Sequence, residues 1–351
     1  MFSSTLRTAL IALTYAAAVA SAASLSLKVS GPQAVDSVED LKVVATLTNN
    51  GAEAVKILND PRGALSKMPT DTFSITDAAG SVPSFSGVKV KYVPEHAAKI
   101  GAYTTLKPGE SIEVEHHLGH AYNFTLPGAG AYDIHANNRF YIVNPDSSLS
   151  TVYADSAAHS ARLSGKGKLA IARETPAGTL SKRYTYKSCS SSQQSSIVSA
   201  AAGAETYAAN AYSYLNSHTS STTRYTTWFG AYTSARHSTV TSHFQKIDSN
   251  TFSTFTFDCS CTDSGTYAYV YPDTFGYIYL CGAFWQAPTT GTDSKAGTII
   301  HESSHFTSNG GTDDHVYGQT AAKSLAKSDP ASAIDNADNH EYFAENNPSL
   351  S

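Results

Sequence analysis

The chain has 351 residues, of which 41% are hydrophobic and only 15% are charged, a composition common among globular extracellular proteins. A formal net charge of −5 argues against a nucleic-acid-binding protein, because such proteins usually present a basic face. The length suggests two or three domains.

The first residues have the features of a secretory signal peptide. Arg7 supplies a positive charge, an apolar run extends from Ala9 to Val19, and Ala20-Ser21-Ala22 is a small-residue cleavage site. The run is too short to span a bilayer, which needs about 20 apolar residues. We therefore expect a signal peptide over residues 1–22, a secreted, extracellular protein and no membrane anchor.

The region from about Ser24 to Tyr153 is predicted to be rich in β-strands. It contains short, roughly alternating β-branched segments, such as residues 41–47 and 88–93, with turn residues between them. Several short strands at this spacing predict a β-sandwich. Within this region Asn123 begins an Asn-Phe-Thr sequon, so we expect glycosylation there.

A composition change marks the middle of the chain. Lys182 and Arg183 form a dibasic pair in a stretch that also contains Pro176 and Gly178. Exposed linkers are where proteolytic nicking concentrates, so we predict processing at this pair, although an ordinary surface charge pair is the alternative. The new N-terminus would be Tyr184 or Thr185.

The second half is predicted to be mostly helical with a small sheet. Apolar residues recur at helical spacing over residues 193–215, and a second helix is expected over residues 231–247. Three short segments rich in Tyr and Phe predict strands at residues 255–259, 267–271 and 277–280. Thr292 or Asp293 is expected to cap a further helix, and Pro330 to begin another.

His301-Glu302-Ser303-Ser304-His305 is an HExxH motif on the helix expected after Asp293. Residues four apart share one helix face, so two imidazoles can bind one zinc ion. Glu302 lies roughly 100° round the same turn, where it can reach a zinc-bound water rather than the metal. Because zinc lowers the pKa of that water towards 7, Glu302 can act as the general base that generates the nucleophile.

A catalytic zinc site needs a third protein ligand. Gly310 and Gly311 allow the chain to turn back sharply after the motif helix, since glycine tolerates positive φ. A carboxylate a few residues later can then reach the metal. The candidates in this part of the sequence are Asp313, Asp314, His315, Glu341 and Glu345.

The stretch from Gly311 to Gly318 reads Gly-Thr-Asp-Asp-His-Val-Tyr-Gly. Placed after HExxH, it resembles the GTxDxxYG signature of the aspzincins, the deuterolysin-like zinc metallopeptidases. The resemblance covers about residue 185 to the C-terminus and is greatest to the fungal peptidyl-Lys group, which cuts before lysine. It implies that Asp314 is the third zinc ligand, with one Zn²⁺ per mature chain, and that Tyr317 helps to hold the oxyanion.

The resemblance also implies how the four cysteines pair. All four lie in the second half of the chain, and residues 1–188 contain no cysteine. Spacing alone excludes only the close pair Cys259 and Cys261, which leaves two pairings open. The similar cysteine spacing of the family implies Cys189–Cys259 and Cys261–Cys281. With no cysteine before the dibasic pair, a cysteine ligand cannot inhibit a precursor, so inhibition would come from occlusion of the cleft or from another ligand.

Asp338 and Glu341 are expected to determine specificity. A buried lysine ammonium needs carboxylates around it, and these two residues are three apart on one face of a predicted helix. The resemblance implies that they line the pocket for the residue after the cut. A solvated acidic helix face is the alternative.

Together these features predict an α+β protein with three parts. The signal peptide is followed by a β-rich, sandwich-like propeptide over residues 23–184 and a mostly helical zincin domain over residues 185–351. The expected activity is zinc-dependent hydrolysis of Xaa–Lys bonds in protein and peptide substrates, by a monomer. The alternatives are a broad-specificity aspzincin protease and a catalytically inert secreted binding protein.

Overall fold

The computed structural model describes residues 24–172 and 183–351, here called the N-terminal unit and the C-terminal unit. The predicted signal peptide, and Lys182 of the dibasic pair, lie outside these residues. Within the described ranges no helix is long and apolar enough to cross a membrane.

The N-terminal unit is built mainly from strands. They are β1 Leu25–Ser30, β2 Ala34–Val35, β3 Lys42–Asn49, β4 Val55–Leu58, β5 Phe73–Asp77, β6 Ser84–Phe85, β7 Lys89–Tyr92, β8 Tyr103–Leu106, β9 Ser111–His117, β10 Tyr122–Asn123, β11 Gly130–Ala136, β12 Arg139–Val143, β13 Leu149–Tyr153, β14 Asp155–Ala157 and β15 His159–Leu163. One helix, α1, covers Pro94–Lys99, and short 3₁₀ turns cover Val38–Asp40 and Leu118–His120.

This unit contains the two-stranded sheet β10-β6 and three four-stranded sheets, whose strand orders are β14-β1-β3-β9, β2-β15-β11-β5 and β13-β12-β4-β8. Strand β3 shows why they pack together, because it buries every second residue, Val43, Ala45, Leu47 and Asn49. Buried residues from all three sheets meet in one apolar cluster. This is the alternating pattern from which the sandwich-like arrangement was expected.

The C-terminal unit is mostly helical. Its elements are β16 Thr185–Lys187, α2 Ser191–Ser217, α3 Thr223–Phe229, α4 Ser234–Asp248, β17 Thr256–Asp258, β18 Thr266–Val270, β19 Tyr277–Leu280, α5 Gly282–Gln286, α6 Lys295–His305, α7 Gln319–Ser328, α8 Pro330–Ala333 and α9 Ala337–Glu345, with a 3₁₀ turn at Phe252–Thr254. The mixture of helices and sheets agrees with the predicted α+β class.

Helix α2 confirms the sequence prediction for residues 193–215. Ser190 caps it in a reciprocal box with Gln193, and its buried face is built largely of alanines between Ile197 and Leu215. Small side chains allow close approach, and α2 packs on the motif helix α6. The helix predicted to begin at Pro330 is only one turn long, because the chain leaves helical geometry after Ala333 and re-enters it at Ala337.

The two units share a sheet. Its strand order is β16-β17-β19-β18-β7, so the last strand comes from the N-terminal unit. Strand β7 runs antiparallel to β18, with Lys91 opposite Ala268, Val90 opposite Tyr269 and Lys89 opposite Val270. The sequence correctly predicts a strand at residues 88–93, but the expectation that it belongs to the N-terminal sandwich is wrong. A sheet edge offers unpaired backbone groups, and β7 satisfies those of β18.

Gly230 allows helices α3, α7 and α8 to meet. It ends α3 with φ 75° and ψ −160°, a conformation almost restricted to glycine. A Cβ atom there would lie 2.0 Å from the carbonyl oxygen of Ala326 and 2.8 Å from Cγ of Pro330. Neither the backbone nor the proline ring can move away without shifting a helix.

Gly230→Ala is therefore expected to destabilise the C-terminal unit strongly. The matched control is Gly291→Ala, which also has positive φ (115°) but whose Cβ would meet only Asn347 Nδ2, at 3.7 Å. Since overpacking adds about 1–3 kcal/mol to conformational strain, Gly230→Ala should lower the free energy of unfolding by about 1–3 kcal/mol more than the control does. Denaturant unfolding followed by tryptophan fluorescence measures this, because both tryptophans, Trp228 and Trp285, lie in this unit. Equal losses would refute the packing argument.

Candidate active site

Helix α6 carries the HExxH motif through the centre of the C-terminal unit. All its residues from Lys295 to His305 are buried. Ser294 caps it by accepting a hydrogen bond from the Gly297 amide at 2.9 Å, so the prediction of Thr292 or Asp293 as the cap is wrong. Asp293 instead adopts φ 50° and directs its carboxylate to the hydroxyl of Tyr342 at 2.6 Å. The helix cap thus lies one residue after Asp293 and two after Thr292, the two predicted caps.

Three buried atoms converge beside α6. Nε2 of His301 lies 3.2 Å from Oδ1 of Asp314, and Nε2 of His305 lies 3.3 Å from the same oxygen. All three atoms lack a hydrogen-bond partner in the described structure, although buried polar atoms are normally satisfied. Two ligand atoms about 2.0–2.1 Å from one tetrahedral zinc ion would be about 3.3 Å apart, so this donor set fits that metal.

Surrounding groups fix the orientation of both imidazoles. Nδ1 of His305 lies 2.7 Å from the carbonyl oxygen of Thr312, and Nδ1 of His301 lies 2.9 Å from Oδ1 of Asp338. The Thr312 contact is a hydrogen bond, whereas the Asp338 contact is a charge contact. Partners of the ring nitrogen that faces away from a metal hold the ring in place and raise its basicity. Each histidine therefore directs Nε2 towards the common point.

The loop after α6 brings Asp314 back to the histidines. Gly311 has φ 61°, as the predicted sharp turn requires, and the Thr312 amide donates to the carbonyl of Ser304 at 3.2 Å. Asn336 then holds the next part of the loop, since its Oδ1 accepts from the amides of His315 (2.9 Å) and Val316 (3.2 Å). Sequence analysis gave Asn336 no such role.

The other candidate ligands lie outside the convergent set. Asp313 forms an ion pair with Lys89 of β7, and His315 contacts Asp335 at 3.2 Å. Glu345 accepts from the amide of Ser294 at 2.9 Å, at the start of α6. Asp314 is thus the carboxylate whose oxygen meets both Nε2 atoms.

Glu302 is fully buried between α6 and strand β7. Its Oε1 accepts a hydrogen bond from the Lys91 backbone amide at 2.9 Å, while its Oε2 has no hydrogen-bond partner. Burial raises the pKa of Glu302 well above its usual value. A carboxylate whose pKa is raised, and one of whose oxygens accepts a hydrogen bond from a peptide nitrogen, is placed to exchange a proton with that nitrogen.

Asp338 and Glu341 lie on one face of α9, as predicted, and they surround a lysine of the N-terminal unit. Nζ of Lys91 is 3.0 Å from Asp338 Oδ1 and 2.7 Å from Glu341 Oε2, and all three side chains are 0% exposed. A third carboxylate, Asp293, lies 3.3 Å from the same nitrogen. The ring of Tyr342 completes the pocket, with its centroid 4.9 Å from Nζ.

The charges in this pocket are mutually dependent. Burial by itself would lower the pKa of Lys91, but the negative charges of Asp338 and Glu341 outweigh it and raise that pKa well above its usual value. Burial raises the pKa of Glu341 and opposes the lowering that Lys91 produces. Lys91 is therefore held as an ammonium ion. Asp293 was not predicted as a pocket residue, because it lies outside the predicted helix that carries Asp338 and Glu341.

Tyr317 extends over the same strand. Its hydroxyl donates to the carbonyl oxygen of Val90 at 2.8 Å, and the Arg62 guanidinium stacks 4.1 Å from its ring centroid. Arg62 also donates to the backbone carbonyl of Asp314. The Val90 carbonyl thus receives a hydrogen bond from the residue expected to hold an oxyanion.

The remaining predicted residues lie away from the site. The structure pairs Cys189 with Cys259 and Cys261 with Cys281, the pairing that the family resemblance implied. Asn123 is half-buried, and its Oδ1 accepts from the Thr125 amide at 2.8 Å. Its glycosylation stays a prediction. Arg183 is exposed, and its dibasic neighbour lies outside the described residues.

Comparisons with known proteins give matches along the chain. An aspzincin family model described as lysine-specific metallo-endopeptidase matches residues 214–345, which include α6, the following loop and α9. The chain is 58% identical to a peptidyl-Lys metalloendopeptidase of Grifola frondosa, with 100% of both chains covered. It is 56% identical to a protein of that name from Armillaria mellea, over 96% of this chain and 95% of the relative.

A third relative is shorter. The peptidyl-Lys metalloendopeptidase of Pleurotus ostreatus is 69% identical over 166 residues, which are 47% of this chain and 99% of the relative. The buried site therefore lies in a chain that has metalloendopeptidase relatives over its full length.

The ligand assignment predicts the effect of two neighbouring substitutions. Asp314→Ala in the full chain should reduce zinc affinity by more than about 100-fold. Even residues that contact only a metal's ligands, and not the metal, contribute about 10–100-fold to the affinity. Asp313→Ala removes the ion pair with Lys89 and the hydrogen bond that Asp313 Oδ1 accepts from the Asp314 amide, but no atom of the convergent set, and should leave zinc content unchanged. Zinc is measured by mass spectrometry after dialysis against a competing chelator. The opposite result, with zinc kept by Asp314→Ala and lost by Asp313→Ala, would move the ligand by one residue.

Proposed function

This chain belongs to the aspzincin family of zinc metalloendopeptidases, and we propose that it hydrolyses peptide bonds on the N-terminal side of lysine. The observation that carries the proposal is the position of Lys91. Its ammonium lies among three carboxylates while its own backbone amide contacts Glu302. Pocket and general base are therefore spaced for a substrate lysine that follows the bond to be cut.

His301, His305 and Asp314 would hold the zinc ion. When bound, zinc supplies Lewis acidity that polarises a carbonyl and lowers the pKa of water. Glu302 takes a proton from the attacking water and passes it to the leaving peptide nitrogen, which the 2.9 Å contact with the Lys91 amide supports. Tyr317 donates its hydroxyl proton in a hydrogen bond to the oxygen on which negative charge develops.

Lysine selectivity follows from the cost of desolvating an ammonium. Lysine carries a compact, strongly hydrated charge, and burying it is expensive unless carboxylates replace the lost water. Asp293, Asp338 and Glu341 supply three, all within 3.3 Å of Nζ of Lys91. A pocket of this shape should accept the larger, planar guanidinium of arginine poorly. The acidic C-terminal unit would also attract basic substrates.

Three features support secretion as a precursor. The N-terminal sequence over residues 1–22 has the pattern of a signal peptide. Residues 24–172, which precede the dibasic pair, form a unit with its own apolar core. The Pleurotus ostreatus relative is almost fully covered by 166 residues of this chain. We therefore assign residues 23–184 as a propeptide and residues 185–351 as the mature, monomeric enzyme.

Carboxylates that contact the ammonium more closely should contribute more to lysine cleavage. Glu341→Gln removes the contact at 2.7 Å, and because breaking a buried ion pair costs about 3–5 kcal/mol, kcat/KM for lysine peptides should fall more than about 100-fold. Asp293→Asn removes a contact at 3.3 Å from a side chain that is 26% exposed. This should cost about 1–2 kcal/mol, which lowers kcat/KM for lysine peptides by about 5- to 30-fold.

Peptide-library digestion measures both effects, with zinc content checked in parallel. Asp335→Asn is the control, because this partly exposed carboxylate contacts His315 instead. Cleavage before other residues should change far less than cleavage before lysine. Asp338 and Glu341 lie 2.9 Å and 3.3 Å from Nδ1 of the proposed ligand His301, so the zinc content of either variant is compared with that of the wild type before its cleavage is interpreted. Asp338→Asn is the poorer probe, because its shorter contact should matter more for zinc binding. If the preference for the residue after the cut is the same in the variants and the wild type, the broad-specificity alternative is favoured.

The proposed boundary predicts the N-terminus of the mature enzyme. Secreted protein should begin at Tyr184 or Thr185, directly after the dibasic pair, because the pair lies where the composition of the chain changes and proteolytic nicking concentrates in linkers between units. Lys182→Gln together with Arg183→Gln should abolish this species. N-terminal sequencing of the secreted protein tests the boundary, and a mature start well before Ala170 would refute it.

A further inference from the structure

Strand β7 lies in the cleft in the way that a substrate would. It adds to the edge strand β18 as an antiparallel strand, the common mode of extended-peptide recognition. Its backbone continues the contact inside the cleft, since the Val90 amide donates to Oδ2 of Asp314 at 2.9 Å. Main-chain pairing thus fixes the position of the Val90–Lys91 peptide bond.

Both sides of that bond meet groups that the proposed reaction requires. On the carbonyl side, the oxygen of Val90 accepts from the Tyr317 hydroxyl at 2.8 Å. On the amine side, the Lys91 nitrogen donates to Glu302 Oε1 at 2.9 Å. The Lys91 side chain fills the three-carboxylate pocket and is 0% exposed. No other lysine among the described residues contacts this pocket.

We propose that the chain's first substrate is its own Val90–Lys91 bond, cut within the same molecule once zinc is present. Water adds across this bond: the C–N bond breaks, a C–O bond forms, and Val90 ends as a carboxylate. The Lys91 nitrogen leaves as an amine with a proton from Glu302. This inference rests on the proposed lysine specificity and extends it to the N-terminal unit.

Until it is cut, this strand blocks the cleft. Lys91 occupies the lysine pocket, Arg62 covers Tyr317, and Lys89 pairs with Asp313 beside the metal site. An external peptide would have to displace all three contacts and the strand pairing with β18. The same segment is therefore the inhibitor of the precursor and the first bond that the enzyme breaks.

The sequence provides an internal control. Val88–Lys89 and Val90–Lys91 are identical dipeptides on one strand, so local sequence cannot distinguish them. The register of the strand distinguishes the two bonds, because the Lys89 side chain points to Asp313 and the ring of Phe85, outside the pocket. Self-cleavage should therefore occur at Val90–Lys91 and not at Val88–Lys89.

The test uses the full chain with Lys182→Gln and Arg183→Gln, purified without metal and then given zinc. We expect a new N-terminus at Lys91, identified by mass spectrometry, with a half-time that does not change on tenfold dilution. Glu302→Gln and Lys91→Met should remain intact at this bond. Lys89→Met should still be cut there.

A second readout does not depend on catalysis. In the metal-free wild-type chain, acetylation of amines should modify the exposed Lys56 and Lys99 and leave Lys91 unmodified. Combining Asp338→Asn with Glu341→Gln should expose Lys91 to the reagent. Full labelling of Lys91 in the native wild-type chain would refute its placement in the pocket.

The processed enzyme, assayed on a synthetic peptide of residues 85–97, separates the two proposals. If it cuts the peptide before lysine while the zinc-loaded chain stays intact at Val90–Lys91, self-cleavage is refuted and the proposed function survives. If neither is cut before lysine, both are refuted. A first cut elsewhere, or a half-time that shortens with concentration, also overturns intramolecular cleavage.

Discussion

A buried ammonium ion cannot remain without partners, and the arrangement of both units around Lys91 follows from that constraint. Removing a lysine charge from water costs several kcal/mol unless carboxylates and hydrogen bonds replace the solvent. Here three carboxylates and an aromatic ring surround it, and two of those carboxylates are themselves fully buried. Neither side could be buried alone. The contacts of Lys91 with these carboxylates therefore couple the β-rich unit to the helical one, alongside the sheet that the two units share.

The lysine pocket and the metal site are parts of one network. Asp338 contacts Nζ of Lys91, Nδ1 of His301 and, at 2.6 Å, the amide of Gly318 at the end of the signature loop. Asp314 sits on the other side of the same imidazole. In the proposed pocket, a substrate lysine would bind next to the carboxylate of Asp338, which contacts a proposed metal ligand. This proximity gives the enzyme a physical route by which correct substrate binding can affect the reacting centre.

Local patterns in the sequence were sufficient for the motif residues. Helical spacing placed two histidines on one face, and a glycine turn brought a nearby carboxylate within reach, but the family resemblance selected Asp314 among the candidates. Helical spacing likewise placed Asp338 and Glu341 on one face, while their role in a lysine pocket came from the resemblance. Helix α2 followed from its apolar spacing. These features depend on neighbours within one or two turns of the chain, which periodicity and turn chemistry report directly.

Long-range features could not be predicted in the same way. Residues 88–93 have the alternation of a strand, but alternation does not specify which sheet edge a strand will join. Asp293 was assigned to a helix cap, since its role depends on Tyr342 and on a lysine about 200 residues away. Asn336 organises the signature loop through contacts 20 and 21 residues distant. Each requires tertiary packing that one sequence does not display.

A crystal structure of the full-length Glu302→Gln chain with zinc would test the central claim most directly, because this variant should bind metal without cutting itself. We expect one zinc ion on His301, His305 and Asp314, strand β7 paired with β18, and the Lys91 ammonium among Asp293, Asp338 and Glu341. A structure in which zinc is bound while Lys91 lies in solvent, or another lysine fills the pocket, would contradict it.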